Sequence, residues 1–182
     1  MRIPSSRPLV ALLLAALALP VAGCATNKAK GDLPYVARDV GTLYSAAREK
    51  LDQRQYKVAA ALFDEVERQH PYSVWARRAQ LMGAFSNYLA KNYTTSIQGA
   101  QRFLSVHPGN RDAPYAYYLI AISYYEQIND VTRDQKITTQ AQDALGELTR
   151  RYPNTRYAAD ARLKIDLVRD HLAGKEISHM WE

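Results

Sequence analysis

The chain has 182 residues, a single cysteine and a formal net charge of +6. That length suits one globular domain or a short repeat array, and a lone cysteine excludes an internal disulfide. The basic residues are scattered, with no Lys/Arg run of five or more. A nucleic-acid partner calls for a clustered basic face, so that class is excluded too.

In chain order, Arg2 and Arg7 open a positive segment, and Leu9 to Leu19 follows as an apolar run. This pattern predicts a secretory signal peptide over residues 1–23, because the run is too short to cross a bilayer as a helix. Its removal takes away two arginines and no acid, so the formal charge falls from +6 to +4. All 13 tyrosines lie beyond it. The segment closes on Val21-Ala22-Gly23-Cys24. That motif resembles the lipobox of bacterial lipoproteins, which implies cleavage before Cys24 and covalent lipid on its sulfur and its new amine. One acyl chain holds a protein on a membrane only marginally, whereas two or more anchor it stably. Enterobacterial sorting favours inner-membrane retention when Asp follows the cysteine. Ala25 stands there and points to the outer membrane.

Residues 24–38 are polar and without periodicity. They predict a flexible tether that reaches at most about 45 Å if extended. From Val40 the pattern is helical. Leu43, Ala46, Ala47, Lys50 and Leu51 fall on one helix face. Gln53-Arg54-Gln55 is a polar turn, and Tyr56 opens a second helix that must end at His70, before Pro71. Further helices are predicted over about Ser73–Lys91, Tyr93–Val106, Ala113–Ile128, Thr138–Arg151 and Tyr157–Leu172. Pro and Gly lie almost entirely between them. Gly83, Gly99 and Gly146 are exceptions and predict close helix–helix contacts. No β-hairpin signal competes.

The helices repeat. Ala47, Tyr56, Ala59, Val66 and Pro71 recur 37 residues later as Ala84, Tyr93, Ser96, Phe103 and Pro108. A third copy starts at Ala121 and closes at Pro153, 45 residues after Pro108, so it carries eight extra residues, placed at Asn129 to Lys136. A fixed period of this size marks a stacked repeat architecture. The unit resembles the tetratricopeptide repeat, in which a small residue on the first helix lets the second approach and a proline closes the unit. The resemblance makes Tyr56, Tyr93 and Thr138 the entry residues of the second helices. The predicted fold is all-α: a tetratricopeptide-like helical-hairpin solenoid over residues 39–176. It has three full repeats (about 40–72, 77–109 and 114–154), a half repeat (156–173) and a divergent tail (177–182).

Specific segments carry a closer resemblance: Ala61-Leu62-Phe63-Asp64-Glu65-Val66-Glu67-Arg68-Gln69-His70-Pro71-Tyr72-Ser73, Arg102-Phe103-Leu104 before His107-Pro108, Ser123-Tyr124-Tyr125-Glu126-Gln127-Ile128, and Arg151-Tyr152-Pro153-Asn154-Thr155-Arg156-Tyr157-Ala158. With the lipobox and tether, they are similar to the BamD (ComL) family of outer-membrane assembly lipoproteins. That family continues for about two more helix pairs, so the short end reads as a truncated or frame-shifted copy.

No catalytic constellation is present: no Gly-x-Ser-x-Gly elbow, no phosphate-binding glycine loop and no His-Glu-x-x-His. The chain is therefore expected not to be an enzyme and to hold no metal or other cofactor beyond lipid on Cys24. His70 and His107 precede prolines at helix ends and suit the negative helix terminus. Asp64, Glu65 and Glu67 read as a solvated face. In tetratricopeptide arrays the first helices line the concave face. That rule places Tyr44, Arg48, Arg78, Leu81, Phe85, Tyr88, Tyr115, Tyr118, Ile122 and Tyr125 in a peptide-binding groove. Aromatics supply contact area and arginines take a terminal carboxylate. Packing between units is the other use open to each tyrosine. The family resemblance implies the ligand, the aromatic-ending C-terminal segment of an unfolded outer-membrane β-barrel protein. It also implies the partners, a BamA-type barrel insertase and other assembly lipoproteins, and an address on the periplasmic face of the outer membrane. A repeat lipoprotein of pilus assembly or cell division is the alternative.

Overall fold

The computed structural model describes residues 39–128 and 135–180. The signal-peptide, Cys24 and tether assignments, and most of the insertion, lie outside the described residues. The described chain forms α1 (Val40–Asp52), α2 (Tyr56–Gln69), α3 (Val74–Leu89), α4 (Tyr93–Val106), α5 (Ala113–Tyr125), α6 (Gln135–Arg151) and α7 (Arg156–Met180), and it contains no strand.

Local chemistry sets the helix starts. Asp39 accepts from the Thr42 N–H at 3.0 Å, and Ser73 accepts from the Ala76 N–H at 2.9 Å, each satisfying an orphan donor of the first turn. Thr155 caps α7 through the Ala158 N–H at 3.2 Å. Pro114 sits in the first turn of α5, where a missing N–H costs nothing. The helix ends recur with the repeat. His70 and His107 leave α2 and α4 at (φ, ψ) of (−134°, 55°) and (−131°, 56°). Arg54 and Lys91, again 37 residues apart, both sit at φ 60°. Around them the Gln55 N–H donates to the Lys50 carbonyl and the Asn92 N–H to the Asn87 carbonyl, at 2.9 and 2.8 Å. This is the Schellman closure, which ordinarily has glycine at the left-handed position.

Each core cluster joins one hairpin to the first helix of the next. Leu43, Ala47, Ala59, Phe63, Val66 and Ala79 unite α1, α2 and α3. Leu81, Ala84, Ile97, Ala100, Phe103, Ala116 and Leu119 unite α3, α4 and α5. Ala121, Ala141, Leu145, Leu148, Ala161 and Val168 unite α5, α6 and α7. Small residues recur at equivalent places while the bulk moves. Phe63 and Val66 in α2 become Ala100 and Phe103 in α4, so the large ring shifts by about one turn. Glu67 ties the units together, accepting from Gln80 Nε2 and from the Arg102 guanidinium at 3.2 Å each. Asp64 is exposed, though partial desolvation raises its carboxyl above the ordinary value. Glu67 is thus an inter-unit clamp rather than part of a solvated face. Glu65 does face outward, paired with Arg68 at 2.6 Å.

Several boundaries differ from the expectations. α6 begins at Gln135, so Thr138 lies buried inside the helix rather than at its entry. Gln and Lys before it are good helix formers and extend the first turn. α5 ends at Tyr125, with a turn closed by the Gln127 and Ile128 N–H groups. α7 runs past Leu172 to Met180, so residues 177–180 of the expected tail are helical; Gly174 alone does not end it. A methyl added at Gly83 would lie 3.3 Å from Asp64, and one at Gly99 would lie 3.1 Å from the Ala84 Cβ. Both glycines mark close contacts as predicted. Gly146 does not, since nothing lies within 4 Å of an added Cβ.

Leu163 and Leu167 on α7 are 66% and 55% exposed. They stand where Leu81 and Phe85 stand on α3 and Tyr118 and Ile122 on α5, the positions covered by the next first helix.

Gly146→Ala is expected to stabilise the protein by about 0.5–1 kcal/mol in urea denaturation, from helix propensity alone. Gly99→Leu is expected to destabilise it by about 1–3 kcal/mol through overpacking against Ala84. Lys91→Gly should gain about 0.5–1 kcal/mol, relief of the left-handed backbone exceeding the added freedom of the unfolded chain.

Candidate functional site

The backbones of the first helices approach one another in sequence, α1 on α3, α3 on α5 and α5 on α7, whereas those of α2, α4 and α6 stay farther apart among the described residues, α2 and α4 meeting through the long side chains of Glu67 and Arg102. The first helices therefore form the inner, concave layer of a curved array. On this layer lies a cleft of about 690 Å³. Tyr44 of α1, Arg77, Arg78, Leu81 and Met82 of α3, Phe103 of α4, Tyr115 of α5 and Tyr157 of α7 line it, with Asn110, Arg111 and Asp112 from the loop between units.

The floor of the cleft is aromatic. Tyr44 packs on Trp75 at 4.8 Å and on Phe63 at 5.4 Å. Tyr115 packs on Tyr157 at 5.5 Å, and Phe85 lies behind it at 6.3 Å. The rim is cationic. Arg78 lies 5.8 Å over the Trp75 ring, while Arg111 is 3.8 Å from Asp112 on an exposed loop. Three guanidinium groups face one carboxylate among the described lining residues. Burial pushes the Tyr115 phenol strongly upward, so it stays neutral at physiological pH. The electrostatics of the cleft therefore belong to arginine. Planar guanidinium groups match a carboxylate with paired hydrogen bonds, and the rings offer large contact area at low entropic cost.

Of the expected groove residues, Tyr44, Arg78, Leu81 and Tyr115 line this cleft. Leu81 and Ile122 are almost fully buried in the core between units. Phe85 and Tyr88 pack against the same core. The Tyr88 hydroxyl donates to Glu126 at 3.4 Å, and burial first, then Glu126, raises its pKa to about 12. Tyr118 serves a clasp between α5 and α7: its hydroxyl donates to Asp160 at 2.8 Å and its ring lies 5.1 Å from Tyr157. Lys164 pairs with Asp160 at 2.8 Å and sits 5.5 Å over the Tyr125 ring. Arg48 faces a second, shallower hollow with Glu49, Asp52 and Trp75, which shares only Tyr44 with the main cleft.

Seven cleft residues went unforeseen: Arg77, Met82, Phe103, Asn110, Arg111, Asp112 and Tyr157. Arg77 adjoins Arg78 on the same turn. Arg111 lies in a loop, which a rule about first helices passes over. Tyr157 opens the first helix of the fourth unit, at the position of Asp112 and Trp75 in the units before it, which the expected groove set did not include. Among the described residues no cluster of His, Cys, Asp or Glu is arranged to hold a metal ion, and no helix is long and apolar enough to cross a membrane.

A curved stack of helical hairpins with a concave aromatic–arginine cleft defines a tetratricopeptide-type scaffold. Its fold is similar to the C-terminal TPR-containing domain of an FK506-binding protein of Plasmodium falciparum, with a TM-score of 0.54, 13% identity and coverage of 79% of this chain and 97% of that one. Residues 37–180 match the family described as YfiO, outer membrane lipoprotein, and the chain belongs to that family. Curated relatives named outer membrane protein assembly factor BamD are similar throughout. That of Caulobacter vibrioides is 50% identical over 98% of this chain and 58% of its own length. Those of Rickettsia prowazekii and Neisseria gonorrhoeae are 42% and 30% identical over 90% and 92% of this chain, and 64% and 67% of theirs. The chain thus spans less than two thirds of the first two.

The α5–α7 clasp has a pH signature. Burial pushes the Asp160 carboxyl up, but the bonds from Lys164 and Tyr118 outweigh it and hold it below the usual value. A depressed carboxylate contributes stability that is present above its unfolded pKa of about 3.9 and is lost as pH falls through the folded value. Asp160→Asn is expected to lower stability at neutral pH by about 0.5–1 kcal/mol, modestly because the pair is partly exposed. The variant should also flatten the acid limb of the stability–pH curve below about pH 4, measured by urea titration at stepped pH.

Proposed function

We propose that this chain is the repeat module of a non-catalytic, lipid-anchored outer membrane protein assembly factor. We infer that its concave cleft receives the aromatic-ending C-terminal segment of an unfolded outer-membrane β-barrel protein. Family membership and the printed names of the relatives support the assembly role. The cleft itself carries the ligand reading: Arg77, Arg78 and Arg111 stand beside Tyr44, Tyr115 and Tyr157. A terminal carboxylate on an aromatic residue needs both kinds of group within one side chain's reach. Cys24 supplies the anchor through covalent lipid, which sets the module on the periplasmic side of the outer membrane. A BamA-type insertase and the other assembly lipoproteins are its partners. No metal or other cofactor enters this role.

The test is fluorescence anisotropy with the full chain and a labelled peptide copying a barrel C-terminus with a terminal Phe. Tyr115→Ala is expected to weaken binding roughly tenfold or more, as for a buried aromatic anchor. Arg111→Gln should weaken it by about fivefold, and capping the peptide as its amide should cost about the same, since both delete one charge-assisted contact. Equal affinity for the free acid and the amide would rule out carboxylate capture. Phe85→Ala and Tyr118→Ala are expected to weaken binding with an accompanying loss of stability, because both side chains pack behind the floor.

A further inference from the structure

A second cleft, of about 390 Å³, opens at the edge of the array, where the α2–α3 turn meets the end of α4. Tyr72, Val74 and Val106 line it and are 102%, 60% and 61% exposed, an aromatic and two β-branched side chains presented to solvent around one hollow. Tyr72 is fully solvent-exposed, so packing does not account for it. Grouped apolar side chains at the mouth of a hollow mark an interaction site, whereas single exposed ones do not.

This edge cleft adjoins the concave one. Arg77 lines both. On the facing wall, Phe103 belongs to the concave cleft and His107 to the edge cleft, and their rings pack at 5.4 Å. A chain lying in the first cleft with its carboxylate among the arginines can therefore leave only a few residues upstream along Arg77, over the edge and past Tyr72. An extended chain advances about 3.3 Å per residue and turns alternate side chains to the same face. A β-strand precursor is apolar at alternate positions, so it presents apolar groups to both clefts along one face.

We propose that the edge cleft is a second subsite for the same bound segment, taking an upstream apolar side chain of an extended, alternating apolar–polar peptide. This proposal rests on the reading of the concave cleft given above. The two clefts together make recognition depend on alternation as well as on the terminal residue.

The test uses the full chain and three labelled peptides ending in a free Phe: one of about five residues, one of about eleven with strict apolar–polar alternation, and one of the same length with its upstream apolar positions replaced by Ser. The long alternating peptide is expected to bind about five- to tenfold more tightly than the short one. In the double variant Tyr72→Ala/Val106→Ser, whose changes are on the surface and leave the core intact, that advantage should vanish while short-peptide affinity is unchanged. The Ser-substituted peptide should bind like the short one. If the double variant keeps the length advantage, the edge subsite is overturned while the concave reading stands. If the unaltered chain self-associates in sedimentation and the double variant abolishes that while leaving peptide affinity alone, the patch is a contact between copies and the subsite is again overturned. If Tyr115→Ala leaves short-peptide binding untouched, the concave reading fails and the subsite fails with it.

Discussion

The array depends on how closely two helices of a hairpin approach at one place. An added methyl at Gly99 would lie 3.1 Å from the Ala84 Cβ, and the corresponding Ala47 and Ala121 are wholly buried. No larger side chain fits there without moving a helix. This constraint sets the distance between helices in the second unit, and fully buried alanines hold the matching first-helix position in the other two. The distance in turn decides which faces of the first helices are left to meet the next unit and which are left to line the cleft.

Tyrosine serves both ends. On the inner layer, Tyr118 and Tyr88 spend their hydroxyls on carboxylates of the next unit, Asp160 and Glu126. Tyr115 and Tyr157 stack on each other and still line the cleft. A ring with a polar tip can be buried on one side and wet on the other. The groove is therefore no separate graft on the solenoid. Its floor is the exposed edge of the packing between units, and substitutions that weaken one weaken the other.

Much of this was readable in the residues. The 37-residue period gave the hairpins, and Tyr56 and Tyr93 open their helices where expected. The closing prolines end α2, α4 and α6, because the backbone rule is local. The site was harder. The tetratricopeptide rule that first helices line the concave face placed Tyr44, Arg78, Leu81 and Tyr115 in the groove, but it does not separate a residue that ends in the core, such as Ile122, from one that reaches the cleft. That difference is set by the next first helix, a contact some forty residues away in sequence, as between Tyr118 and Asp160. Arg111 was invisible because it lies in a loop. Arg54 and Lys91 adopt a glycine's conformation without being glycine, and no local signal announced it.

The displaced phenylalanine has a consequence for how the chain reaches its structure. Hairpins built on one backbone plan invite a trap: α4 docking against α1 in place of α2. Ala100 would then occupy the site of Phe63, and Phe103 that of Val66. The first exchange leaves a void worth about 3–5 kcal/mol and the second adds overpacking of about 1–3 kcal/mol. Staggering bulk from copy to copy thus makes each hairpin a key for its own neighbours. It raises misregistered folding intermediates well above the correct one, although the small-residue scaffold they share is almost the same.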